Sequence, residues 1–163
     1  MTQNVNLNAY RRENAYVRMH AASGRSSSEV TANGTFATGD VLGGRMYFEG
    51  AGGFANNGIL MALDLVDYGA VGPQVDVFLY AEEPASIAND AAFAEAEADA
   101  LNRIGIISVG SSDWVAIGAG AKTVHKEMSI PFTGSSLWAY LVVRGTPTYT
   151  SDKILAVINT FHE

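Results

Sequence analysis

Cysteine is absent from the 163 residues, so the chain has no disulfide framework, no thiolate zinc site and no cysteine nucleophile. Histidine is scarce, and the three present, His20, His125 and His162, are too scattered to converge on one metal with a carboxylate, as an oxygenase site requires. No metal and no cofactor are expected. Basic residues are outnumbered 17 to 10, for a net charge of −7, which argues against a nucleic-acid partner, since phosphate binding calls for a basic stripe. No apolar run approaches the roughly 20 residues of a membrane helix, so no membrane partner is expected. The first residues, Met1-Thr2-Gln3-Asn4-Val5, lack the basic-then-apolar pattern of a secretion signal, and synthesis in a cytoplasm is the expectation. Nucleophile elbow, phosphate loop and zinc-protease helix are all missing. Gly50-x-Gly52-x-x-Ala55 imitates a dinucleotide fingerprint, but no helical pattern follows it. The expectation is a protein that is not an enzyme and has no catalytic residues.

What is present is apolar and β-like. Hydrophobic residues make up 48% of the chain and charged residues 17%, too apolar a balance for a disordered protein. A chain of this length fits one domain that buries on the order of two-thirds of its unfolded surface. Two regions are expected, an N-terminal arm over residues 1–29 and a β-sandwich over residues 30–163. The arm is polar and holds four of the ten basic residues, Arg11, Arg12, Arg18 and Arg25, interspersed with Tyr10 and Tyr16. Such a composition suits either a segment that orders on a partner or a terminus with no fixed place.

From Val30 the period becomes two. Residues 30–36 read as a strand with a hairpin turn at Asn33-Gly34, and Gly43-Gly44 inside the next strand marks a bulge or a close backbone approach. In residues 59–65 both alternating faces are apolar, so both faces should be covered, one by a second sheet and the other by a loop or a neighbouring subunit. Val75-Asp76-Val77-Phe78-Leu79-Tyr80 alternates until Pro84 ends it. Asn89 or Asp90 then caps a predicted helix with Phe93, Ala96, Ala100, Leu101 and Ile104 on one face, lying as a lid on the sheet. Its carboxylates Asp90, Glu95, Glu97 and Asp99 match no calcium-loop spacing and read as a solvated face. Residues 124–130 alternate as an edge strand with one wet face that carries His125, while residues 137–143 and 154–158 read as central strands. The linker at residues 144–150 is long enough to cross between sheets. About eight or nine strands separated by turn signals give an all-β fold with one short helical insertion. Its architecture is an antiparallel two-sheet sandwich of jelly-roll type.

The order of certain features carries a resemblance. Gly39-Asp40-Val41, Val75 to Tyr80 before Pro84, Asn89-Asp90-Ala91-Ala92-Phe93-Ala94, Ile104-Gly105-Ile106-Ile107, Leu137-Trp138-Ala139-Tyr140-Leu141-Val142-Val143 and Gly145-Thr146-Pro147-Thr148-Tyr149 together resemble small capsid decoration, or cement, proteins of tailed bacteriophages. The match runs from Val30 to Glu163. It implies a virion protein that is made in the host cytoplasm, trimerises on the capsid surface, has the major capsid protein as partner and braces the lattice. Under that expectation Tyr10, Arg11, Arg12, Tyr16 and Arg18 are the capsid-contact candidates, and Trp138 and Tyr140 the candidates for the oligomer interface. The alternatives are a tail or fibre-base virion protein and a glycan-binding sandwich that stacks sugars on Trp114, Trp138, Tyr140 or Tyr149.

Overall fold

The structure is a computed structural model and describes residues 22–162, apart from 54, 55 and 119. Among them nine strands occur in the order β1 (Ala22–Thr35), β2 (Val41–Phe48), β3 (Asn57–Asp67), β4 (Val75–Tyr80), β5 (Arg103–Val109), β6 (Val115–Ala116), β7 (Lys122–Thr133), β8 (Leu137–Val143) and β9 (Thr148–His162). They form two antiparallel sheets with strand orders β1-β9-β3-β7-β6 and β2-β8-β4-β5. With β6 set aside, successive strands alternate between two four-stranded sheets except β4 and β5, which are neighbours in one, as in the two Greek keys of a jelly roll. The all-β sandwich is as expected, β8 and β9 are interior strands, and residues 144–147 make the crossing between sheets. Between the sheets lies one core, in which Phe36, Leu42, Phe48, Leu65, Leu79 and Leu137 are fully enclosed.

Four local differences from the expectation have physical causes. The first strand begins at Ala22, ahead of Val30, and pairs with β9 throughout. Its leading half alternates Gly24, Ser26 and Ser28 inward with Arg25, Ser27 and Glu29 outward, so small polar side chains stand where an apolar period would reveal a strand. Asn33-Gly34 is no hairpin turn. Because β9 continues alongside as far as the Thr35–Thr148 pair, the chain runs straight on, and the register shift after Ala32 is a bulge in β9, where the unpaired Ser151 takes φ 86°.

In β3 the two-faced apolar pattern comes from a bulge rather than from double burial. The register shifts between Leu60 and Ala62 against both neighbours, which puts Leu60, Leu63 and Leu65 inside and leaves Met61 46% exposed. Gly43 and Gly44 do mark a bulge in β2, as expected, both at positive φ. A Cβ on Gly43 would sit 2.4 Å from Val30 Cγ2, so the close approach of β1 and β2 requires glycine there.

The predicted helix shrinks to α1 (Glu97–Asn102), which buries none of its residues and leaves Leu101 83% exposed. Asn89 does not cap it. Its side chain instead accepts from the Gly43 amide at 2.8 Å and donates to the Asn33 carbonyl at 2.8 Å, while Asp90 turns the chain at φ 62°. Residues 81–96 therefore form an extended strap, tied to the sandwich through the Asp40–Ala92 bridge. The strap, not the helix, is the lid.

Candidate interaction surface

Pairing register fixes what the outer face of the β2-β8-β4-β5 sheet displays. Tyr47, Trp138 and Tyr80 stand in one row and Arg45, Tyr140, Phe78 and Ile106 in the next. An outer face this aromatic must be covered or bound. The strap covers most of it: Phe93 stacks on Phe78 at 4.4 Å and approaches Tyr140 edge-on at 6.0 Å, and Ile87 packs beside them. Tyr140 secures the strap with its hydroxyl, which donates to the Ala85 carbonyl at 2.6 Å and accepts from the Ile87 amide at 3.0 Å. Burial raises the Tyr140 phenol above its ordinary value. At the far end the Tyr80 hydroxyl donates to Glu95 at 2.7 Å, and Glu95 also pairs with Arg103. Burial raises the Tyr80 phenol, and the carboxylate it bonds reinforces the shift.

One corner of this face stays open. Tyr47 is 40% exposed and packs against half-buried Trp138 at 4.4 Å, with the Arg45 guanidinium 4.7 Å from the centre of the indole ring. Arg45 is held in turn by Glu83 at 2.6 Å and by the Pro84 carbonyl at 2.7 Å, so the start of the strap orients it.

Of the residues named from sequence, Trp138 and Tyr140 thus share a sheet face in different roles. Trp138 borders the open corner, whereas Tyr140 is sealed beneath the chain's own strap, so the second apolar face of β8 is covered from within the subunit. Tyr10, Arg11, Arg12, Tyr16 and Arg18 lie outside the described residues. For the stacking alternative, Trp114 donates its indole N–H to the Pro73 carbonyl at 2.8 Å and packs against the core, and Tyr149 is buried. The four aromatics do not form one platform. Among the described residues no group of three or more histidines and carboxylates could hold a metal ion.

Sequence reading missed the polar centre of the fold. Asp67, wholly buried at the end of β3, accepts from the Gly69 amide at 2.9 Å, the Gly72 amide at 2.7 Å and the Tyr149 hydroxyl at 3.1 Å. Burial, and then the Asp67 charge, push the Tyr149 phenol up. The signal was an aspartate two residues ahead of Gly69 and five ahead of Gly72, the spacing by which a carboxylate closes its own turn.

His125, on the wet face of β7 as expected, bonds Asp64 at 2.6 Å, and Asn159 donates to the second oxygen of that carboxylate at 3.2 Å. The Asp64 bond raises the imidazole above its ordinary 6.5. A pKa raised by folding stabilises below the unfolded value and loses that contribution as pH rises through the folded one. His125→Gln is therefore expected to melt closer to the parent at pH 8.5 than at pH 5.5. An identical difference at the two pH values would refute the coupling.

No protein-family model matches this chain. No curated protein matches it either. Among solved structures it is similar to a cleaved adhesin domain of Lys-gingipain from Porphyromonas gingivalis. That similarity has a TM-score of 0.35 and 11% identity and covers 85% of this chain and 83% of the other, a likeness too slight to carry argument.

Proposed function

We propose that this chain is a non-enzymatic structural protein of a bacteriophage virion, a capsid decoration protein that binds the capsid surface as a homotrimer and stabilises the lattice of the major capsid protein. The observation that carries the reading is how the polar side chains are used. Asp76 with Arg144, Glu95 with Arg103, Asp113 with Lys126 and Glu29 with Lys153 are paired between elements of the sandwich, and Asp67 is spent inside it. These pairings serve cohesion, and the jelly roll they knit is an architecture common to capsid and lectin domains. The order of strand motifs described above supplies the virion context. Open surface for a partner exists at the Tyr47, Trp138 and Arg45 corner, and arginine with aromatic residues is the composition found at energetic centres of interfaces.

The test is electron microscopy of phage particles assembled with and without the protein, together with light scattering of the purified chain. Added density on the capsid surface and a trimeric mass are expected. Density at the tail, or absence from the particle, would overturn the reading.

A further inference from the structure

The two long sides of the sandwich are finished differently. Along one, β1 and β2 meet closely: the Ser28 hydroxyl accepts from the Tyr47 amide at 3.0 Å, and Gly43 has no room for a Cβ against Val30. That side is shut. Along the other, β5 ends one sheet, and β7, past its pairs with β6 at Lys122 and Thr123, ends the other. Among the described residues neither edge has a further strand beside it. Between these edges the core comes to the surface. Ile104 and Ile107 of β5 and Met128 and Ile130 of β7 pack against it yet are only partly buried. The seam is narrow where a Cβ on Gly105 would meet Ile130 at 3.1 Å, and at one end it widens into a cleft of about 360 Å³ beside Leu101, which is 83% exposed.

An open strand edge is a row of unpaired amides and carbonyls, which natural proteins guard with charge, proline or a bulge. The edge strand β1 carries Arg25 and Glu29, and β7 carries His125, Glu127 and Pro131. From Gly105 to Val109, β5 has no charge, no proline and no register shift against β4. It is the unguarded edge. We infer that this side of the sandwich is where copies of the chain meet in the homotrimer proposed above, the β5 edge of each copy pairing with the free length of β7, residues 124–130, in the next. The inference rests on that oligomeric reading and names the surface it uses. An open edge calls for another extended strand, because only a strand presents donors and acceptors at the same repeat. A second copy supplies one from the same side of its own sandwich. Within one subunit the two edges lie about 10 Å apart, the spacing of stacked sheets, too far to pair with each other. A ring of β5-to-β7 contacts leaves no edge free, which is a closed heterologous arrangement. It also covers the half-buried seam of the core, and it sets an uncharged strand beside Glu127, which suits copies that each carry a net charge of −7.

The test is light scattering of the full-length protein at micromolar concentration with a lysine placed on either edge, Ile106→Lys on β5 and Ser129→Lys on β7. Both side chains are exposed in the subunit, and Tyr68→Lys, an exposed position next to β9, is the control. The parent and the control are expected to be trimers and both edge variants monomers. A trimeric parent with either edge variant still trimeric overturns the inference and leaves the trimer standing. A parent that is not trimeric overturns both. Hydrogen exchange needs no substitution and decides the matter if a variant fails to fold. In a free antiparallel edge strand alternate amides face solvent, so the parent trimer should exchange slowly throughout residues 105–109 and, diluted to monomer, about tenfold or more faster at every second residue. Fast alternate exchange in the trimer overturns the inference. Slow exchange that survives dilution gives the edge to the chain's own residues and overturns it as well.

Discussion

Replacing Asp67 with alanine is expected to destabilise the fold by about 3–5 kcal/mol, more than any single surface change, and to lower its melting temperature by on the order of 10 °C. The cause is the number of donors left behind. The carboxylate accepts from two backbone amides and one hydroxyl in a fully buried site, and each donor deprived of its acceptor costs about 1–3 kcal/mol. Water cannot replace the carboxylate oxygens without entering the core. Asp67→Asn should recover only part of the loss, since one of its two acceptors becomes a donor facing other donors. Tyr149→Phe, which deletes a single bond and keeps both amides satisfied, should cost about 1 kcal/mol. The check is urea unfolding of the three variants. A loss for Asp67→Ala no larger than that for Tyr149→Phe would show that the turn at residues 67–72 holds without its carboxylate.

Tyr140→Ala is expected to cost about 3–5 kcal/mol by a different route. Its ring is 1% exposed and meets Tyr80 edge-on at 6.3 Å and Phe93 at 6.0 Å, so truncation opens a cavity beneath the strap. It also releases the strap, because the Ala85 carbonyl and the Ile87 amide lose their partner. Tyr140→Phe separates the two effects: the cavity stays filled and only the two hydrogen bonds are lost, for about 1–2 kcal/mol. Hydrogen exchange gives the local readout. The Ile87 amide should exchange faster in both variants, while amides in the β3-β9 ladder respond only through the global loss in Tyr140→Ala. If Ile87 exchanges at the parent rate in Tyr140→Phe, the hydroxyl does not hold the strap. Oligomer mass should be unchanged in Tyr140→Phe, since the side chain lies under its own chain.

The two expectations about β3 and the central helix show where one-dimensional pattern misleads. An apolar period of two identifies a strand, but a single bulge at Met61 exchanges the faces, so residues 59–65 looked doubly buried when each half of the strand simply faces inward in turn. The alanine-rich stretch has helical propensity, yet propensity is worth tenths of a kcal/mol per residue, less than what the strap gains by burying Phe93 and Ile87 on an aromatic sheet. Asn89 makes the same point in one side chain. It is a good helix cap by type, and it bonds Gly43 and Asn33, whose proximity is set by strands far away in the chain.

The alternation of apolar and polar residues, interrupted by glycine and proline at turn spacing, determined by itself that the protein is a sandwich of short antiparallel strands, because that pattern depends only on neighbours along the chain. The absence of cysteine likewise determined that no thiolate chemistry resides in these 163 residues. Tertiary structure alone decided which carboxylate is buried, which aromatics share a face, that β1 reaches back past Val30 and what covers the β2-β8-β4-β5 sheet. Each of these depends on residues far apart in sequence meeting across a ladder, as Asp67 meets Tyr149 and Tyr140 meets Ile87, and such meetings are set by register and packing rather than by local preference.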